Sequence, residues 1–335
     1  MKWFSRSKVE NNTPSVEQVL SQLHTDGVHL TIQELLQYQS KAGLIDLKAS
    51  KNQQSKMAGN YLARSKGRGM EFDEVRHYQH GDDIRAIDWR VTARTGKTHT
   101  KLFREEIERP VLVATDFSQS MLFGTRLLCK SVQAAHLASL VAWHAKQRGD
   151  RLGGIVFNES AHIECKPRSR KQGVLHYLHT LQEIHQLSLT QQEPLTHQTA
   201  VSAFEENCQR LRQIAKPGSL VYLITDGNGI SEQGVRHLSI ISRHCELVVA
   251  MIVDPLEQNL PDVGYRLNVA MTDGESRQQF TLGDAKIKQA YQLKARKLMS
   301  GKQGLLQKAG ARVFTISTDS SIEAQLTDGV SHWIR

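Results

Sequence analysis

From Pro110 onward, short apolar runs alternate with longer stretches in which apolar residues recur every three or four positions. Val111 to Thr115 (VLVAT) predicts a buried strand. Arg126 to Gln147 predicts a helix with Leu128, Val132, Ala135, Ser139 and Ala142 along one face, ended by Gly149. A strand over Arg151 to Phe157, helices over Lys171 to His185 and Ala200 to Ala215, and a strand over Ser219 to Thr225 (SLVYLIT) come next. The series closes with a helix over Glu232 to His244, a strand over Glu246 to Val253, a helix over Ala285 to Gln307, a strand over Ala311 to Ser317 and a short helix near Ile322 to Gln325. Strands alternating with helices predict an α/β fold with a doubly wound, mainly parallel sheet, ligands being expected at the carboxyl ends of its strands. Gly264 to Leu282 breaks the alternation and is expected to be a β-hairpin insertion turning at Asp273-Gly274.

The chain before Pro110 is more polar. Ser15 is placed to cap a helix over VEQVLSQL, and Thr31 with Glu34 forms a capping box at the start of IQELLQYQSKA, which ends before Gly43. Leu47 to Gly69 carries six Lys or Arg, three glycines and no acidic residue, the pattern of a basic loop. Three parts are therefore expected: a helical and basic-loop extension over 1–66, a charged segment over 67–109 packed on the sheet, and the α/β domain over 110–335.

Composition narrows the class. At 335 residues, 39% hydrophobic and 23% charged, the chain has the make-up of a folded protein with a sizeable core. Its longest apolar runs are about seven residues, against roughly 20 for a membrane span, and MKWFSRSKVENN lacks the apolar stretch of a secretory signal. The four cysteines, Cys129, Cys165, Cys208 and Cys245, lie at least 36 residues apart and form no CxxC pair, so reduced, mostly buried thiols in a cytoplasmic protein are expected. The formal charge of +9 points to nucleic acid, an anionic membrane or an acidic protein without choosing among them. Tyr61 is the lone aromatic of the basic loop, too few for a base-stacking platform.

The residues with the most chemistry follow the first buried strand, in VLVATDFSQSM. Asp116, Ser118 and Ser120 form D-x-S-x-S, one carboxylate and two hydroxyls on alternate residues ahead of a helix. Hard oxygen donors of this kind suit Mg²⁺ or Mn²⁺. Asp226 ends another buried strand at the same edge of a parallel sheet, where it can converge on the first loop. These residues resemble the von Willebrand factor A-like fold with its metal-ion-dependent adhesion site. That resemblance implies Asp116, Ser118, Ser120 and Asp226 as metal ligands, with an acidic partner protein completing the shell. A Thr from a further loop is also implied; Thr199 is the first choice and Thr196 the second, though neither follows the family's usual glycine.

Rival readings of the same residues fail on chemistry. A haloacid dehalogenase needs a second Asp at position 118, which is Ser. An α/β-hydrolase needs G-x-S-x-G around its nucleophile. The segment ending Gly96-Lys97-Thr98 lacks the first glycine of a phosphate loop, because position 91 is Val.

Gly67 to Trp89 reads G-R-G-x-E-F-x-E-V-R-x-Y-x-x-G-D-D-x-R-x-I-D-W and is followed by TARTG and F-x-E-E. This string resembles the signature of the bacterial domain-of-unknown-function family 58. The likeness runs on through the Asp116 loop and LVAWHAKQRGDRLG, leaving about the first 45 residues uncovered. It implies a MoxR-type AAA+ ATPase and other von Willebrand factor A-like proteins as partners, and a chaperone-like adaptor role in protein maturation or stress response.

The leading expectation is thus a non-enzymatic, divalent-metal-dependent protein-binding module. The alternative, a nucleic-acid-binding protein or metal-dependent nuclease, rests on Asp82, Asp83 and Asp88 with Glu71, Glu74, His77 and His80. It ranks lower, because Arg76, Arg85, Arg90 and Arg94 are interleaved with these acids and ion pairing accounts for both sets. A third reading attaches Lys48 to Arg68 and the basic helix near Lys286 to Lys308 to anionic lipid at the inner membrane, with solubilising charge the simpler account.

Overall fold

Four of the predicted strands are apolar at nearly every position, which requires cover on both sides, and the fold supplies it. The computed structural model describes residues 15–45, 70–105, 109–191, 196–272 and 277–327. The chain divides into two units, one comprising 1–53 with 110–335 and the other 54–109. The basic loop, Leu47 to Gly69, lies outside the described residues.

The larger unit begins with α1 (Val16–Leu23), α2 (Ile32–Leu36) and α3 (Tyr38–Lys41). Both predicted capping boxes are formed, Ser15 with Gln18 and Thr31 with Glu34. The single helix expected over IQELLQYQSKA is instead two short helices meeting at Gln37, followed by a 3₁₀ turn over Ala42–Leu44.

In the smaller unit, β1 (Met70–His77) pairs antiparallel with β2 (His99–Glu105), with a bulge between Phe72 and Glu74, and α4 (Trp89–Thr95) lies between them in sequence. The three aspartates singled out above are employed locally, and the Glu71 side chain lies outside the described residues. Asp82 binds Arg76 at 2.8 Å, Asp83 accepts from the Arg85 amide at 3.0 Å, and Asp88 caps α4 with Lys101 at 3.6 Å. His77 lies in a strand, so its helical spacing to His80 is not formed, and its ring sits 4.5 Å from that of His99. No three His, Cys, Asp or Glu gather into a metal-holding group among the described residues.

The sheet follows as β3 (Pro110–Asp116), α5 (Lys130–Gln147), β4 (Arg151–Phe157), β5 (His162–Arg168), α6 (Arg170–Thr190), α7 (His197–Ile214), β6 (Leu220–Thr225), α8 (Glu232–Ser242), β7 (Glu246–Val253) and α9 (Pro255–Gln258). After the hairpin β8 (Leu267–Thr272) and β9 (Arg277–Leu282), the chain ends with α10 (Ala285–Lys308), β10 (Arg312–Ser317) and α11 (Ile322–Gln325). The six strands lie in the order β10-β7-β6-β3-β4-β5, all parallel except β5, which runs antiparallel to β4 at the edge. The fold is therefore α/β with a mostly parallel central sheet. The predicted hairpin forms a separate two-stranded sheet, its turn lying outside the described residues.

Alternate strand residues enter two cores. Val111, Val113, Tyr222 and Ile224 pack with α5 and α6, whereas Leu112, Ala114, Val221 and Leu223 pack with α7 and α8. Helix α5 departs from expectation: it starts at Lys130 rather than Arg126, and Lys130 to Ala145 are all buried, not only the predicted face. The cause is the amino-terminal segment. Trp143 Nε1 donates to the Leu35 carbonyl at 3.2 Å, His144 Nδ1 meets the Ala42 carbonyl at 2.6 Å, and Tyr38 packs against His136.

Strand order sets the place of chemistry. From β3 the chain passes to β4 on one side by way of α5, and later returns to β6 on the other side of β3, continuing through α8 on the opposite face. The crevice where the order reverses lies between the carboxyl ends of β3 and β6. Asp116 and Asp226 stand there.

Candidate functional site

Asp116 is the last residue of β3, and Phe117 and Met121, both fully buried, anchor the loop that follows. Burying each side chain is worth about 1.5–3 kcal/mol, which holds the intervening serines in place. A 3₁₀ turn over Gln119–Leu122 tightens the loop, with the Met121 amide donating to the Ser118 carbonyl at 2.8 Å. Asp116 Oδ1 accepts from the Ser118 amide at 2.9 Å and its hydroxyl at 2.6 Å, while Oδ2 accepts from Thr225 Oγ1 at 2.7 Å. Ser120 Oγ is buried and has no hydrogen-bond partner. A buried hydroxyl without a partner asks for one, and Ser120 shares that state with Thr100, Ser139 and Ser219.

Asp226 follows β6 directly. Its Oδ1 accepts from the Asn228 amide at 2.9 Å, and its Oδ2 from Asn228 Nδ2 at 2.9 Å and Lys130 Nζ at 2.7 Å. Lys130 Nζ also lies 2.6 Å from Glu257 Oε1. Lys302 donates to Asn228 Oδ1 at 2.6 Å and reaches the Asp226 carbonyl at 3.4 Å. Glu159, on the Asp116 side, accepts from the Gln119 amide at 2.7 Å.

The two aspartates respond differently to the same burial. Burial first, and the Asp226 charge second, push the Asp116 carboxyl up to about 7, against the hydroxyls that donate to it. Burial also pushes Asp226 up, but the Lys130 ammonium outweighs it and holds that carboxyl below its ordinary value. Lys130 is in turn raised, its two carboxylates overcoming the cost of burial.

The structure thus brings together four of the five residues expected at the site: Asp116, Ser118 and Ser120 in one loop, and Asp226 at the neighbouring strand end. Thr199 lies in the first turn of α7, where its hydroxyl pairs with Thr196 Oγ1 at 2.9 Å and its amide is capped by the same atom. That turn is close to the Asp226 loop, since a Cβ on Gly229 would lie 2.8 Å from the Ala200 carbonyl oxygen. Sequence reasoning missed Lys130, Thr225 and Asn228. Lys130 had a signal, being the one Asp, Glu, Lys or Arg between Leu127 and Ala145.

One neighbour shows what a merely structural strand-end carboxylate looks like. Asp254, after β7, is fully buried, and accepts from the Thr125 amide and hydroxyl at 2.9 and 2.6 Å, Thr318 Oγ1 at 2.7 Å and the Leu256 amide at 2.9 Å. Its partners are all neutral.

Fold and site together define an α/β protein with a mostly parallel six-stranded sheet and a buried carboxylate pair where the strand order reverses. The family described as protein of unknown function DUF58 matches residues 74–300, and the chain belongs to that family. It is 30% identical over 218 residues to the uncharacterized protein Mb1516 of Mycobacterium bovis and to the uncharacterized proteins MT1527 and Rv1480 of Mycobacterium tuberculosis. The match spans 65% of this chain and 65% of each relative's length, just under two thirds. Among solved structures, it is similar to the conserved hypothetical protein BatB from Bacteroides thetaiotaomicron, at 18% identity and a TM-score of 0.43 over 68% of this chain and 97% of that one. It is also similar to an aerotolerance-related membrane protein from Bacteroides fragilis, at 14% identity and a TM-score of 0.38 over 67% and 99%. Among the described residues, no helix of this chain is long and apolar enough to cross a membrane.

Proposed function

We propose that this protein is a non-enzymatic protein-binding module of the von Willebrand factor A-like type that holds Mg²⁺ or Mn²⁺ between the ends of β3 and β6. The observation that carries the reading is the partnerless, buried Ser120 hydroxyl in the same loop as Asp116, next to a second buried carboxylate. The donor set fits the ion, because carboxylates and hydroxyls are hard oxygen ligands. Asp116, Asp226, Glu159 and Glu257, when ionised, face Lys130 and Lys302, leaving two negative charges for a divalent ion to offset. Asp116, Ser118, Ser120 and Asp226 would hold it, with Thr199 from the first turn of α7.

Bound there, the ion supplies a coordination position for a carboxylate of a partner protein. The chain's own residues align the ligands: Thr225 and Ser118 orient Asp116, and Asn228 orients Asp226. The Ser118 hydroxyl donates to Asp116 Oδ1, which ties the two ligands of the loop to each other. The family resemblance supports a MoxR-type AAA+ ATPase as partner and an adaptor role in protein maturation or stress response.

Calorimetric titration with Mg²⁺ tests the site. Wild type is expected to bind and Asp116→Ala to lose binding, whereas equal heats from the two proteins would refute the reading. Capture of a MoxR-type ATPase from the native cell should likewise depend on Mg²⁺ and on Asp116.

A further inference from the structure

Lys130 is the part of the site that a metal-binding reading leaves unused. It opens α5, is 1% exposed and holds Asp226 Oδ2 at 2.7 Å and Glu257 Oε1 at 2.6 Å. A lysine so deeply buried persists only with counter-charge, and it has two. Asp226 Oδ2 accepts from both Lys130 Nζ and Asn228 Nδ2 and Oδ1 from the Asn228 amide, so an ion bound to this carboxylate would share it with the ammonium. The two carboxylates that Lys130 bridges differ in setting. Asp226 is buried at the crevice, whereas the Glu257 side chain is 35% exposed.

We infer that Lys130 is a tethered cation that competes with the divalent ion for Asp226 and withdraws onto Glu257 when the ion binds. The inference rests on the metal-binding reading above and adds its regulation. Without the ion, the ammonium bridges Asp226 Oδ2 and Glu257 Oε1 and holds both side chains in place. With it, two cations cannot share one carboxylate without repulsion, and Glu257 keeps the displaced ammonium paired. Metal affinity is then set by the difference between these two pairings.

Three variants of the full chain separate this competition from a general effect of charge, each titrated calorimetrically with Mg²⁺. Lys130→Met is expected to bind at least about tenfold more tightly than wild type. Lys302→Met removes an equal charge from a lysine that touches the Asp226 carbonyl and Asn228 but not the Asp226 carboxylate, and should gain clearly less. Glu257→Gln, which retains an acceptor for the Asp254 amide that Glu257 Oε2 now binds at 3.1 Å, denies the ammonium its second partner and should weaken binding about tenfold. Equal gains from the two lysine variants, or unchanged binding in Glu257→Gln, would overturn the competition while leaving the metal site standing. Absence of Mg²⁺ binding by wild type and Lys130→Met alike would overturn both. Should Lys130→Met fail to fold, Lys130→Gln takes its place in the comparison with Lys302→Met.

Discussion

Helix α5 carries buried polar groups at two places, and the fold provides for them in opposite ways. At its first residue, Lys130 meets Asp226 and Glu257, and every carboxylate oxygen of Asp116 and Asp226 accepts a hydrogen bond. Two turns on, His136 faces the amino-terminal helices. There Glu34 Oε2, Tyr38 Oη, Glu323 Oε2 and both His136 nitrogens lack a hydrogen-bond partner, and His136 Nε2 stands 4.0 Å from Glu34 Oε1. Burial pushes Glu34 up to about 7 and His136 down to about 4. The first place is held by ions; at the second, burial drives Glu34 and His136 toward neutrality, and the ion pair between Lys41 and Glu323 lies beside them. Burial alone therefore does not single out the Asp226 cluster; counter-charge brought from three separate elements does.

Breaking the ionic side should have the largest effect. Lys130→Met in the presence of a chelator leaves Asp226 and Glu257 without their ammonium, and a loss of about 3–5 kcal/mol is expected from urea unfolding midpoints. Added Mg²⁺ should restore part of it. A loss below about 1 kcal/mol would show that the pair contributes little.

The neutral side should respond to pH instead. Glu34 has a folded value of about 7 against an ordinary 4.5, so the folded state binds the extra proton between them. Its contribution is complete below pH 4.5 and is lost as pH rises through about 7. His136, lowered from 6.5 to about 4, has the opposite sign: its contribution is complete above pH 6.5 and lost as pH falls through about 4. Glu34→Gln should therefore exceed wild type in stability by about 3 kcal/mol at pH 8 and match it at pH 4.5, as read from denaturant unfolding at each pH. A constant difference across that range would refute the assignment.

The smallest change sharpens the contrast with Asp254. Thr318→Val removes one neutral donor of several, and a loss of about 1 kcal/mol with unaltered Mg²⁺ binding is expected from thermal and calorimetric measurements.

The sequence makes legible those features in which one physical requirement dominates. β3, β4, β6 and β7 are apolar at nearly every position because both faces are covered, and their predicted ranges, like that of the half-buried edge strand β10, agree with the structure to within a residue. β5 went unrecognised because HIECKPR is an exposed edge strand with a single fully buried side chain, Cys165, and ordinary polar composition. The full burial of α5 was hidden because its outer side is covered by helices about a hundred residues earlier in the chain, as the Leu35 to Trp143 hydrogen bond shows. Within the site, Asp116, Ser118, Ser120 and Asp226 were visible through spacing and strand ends. Lys130 was not, since a lysine at a helix start ordinarily means solvent, and the two acids that bury it lie 96 and 127 residues away.

The cover on α5 also bears on how the chain is made. The helices that shield it leave the ribosome before it does, and the surface they bury against is incomplete until Gln147 has been added. Until then Leu23, Leu35 and Tyr38, which end up almost wholly buried, have nothing native to rest on. Contacts closed across so long a stretch are slow to form, and apolar groups left waiting are prone to aggregate. Residues 16–45 are thus synthesised about a hundred residues ahead of the surface that buries them and must wait for it.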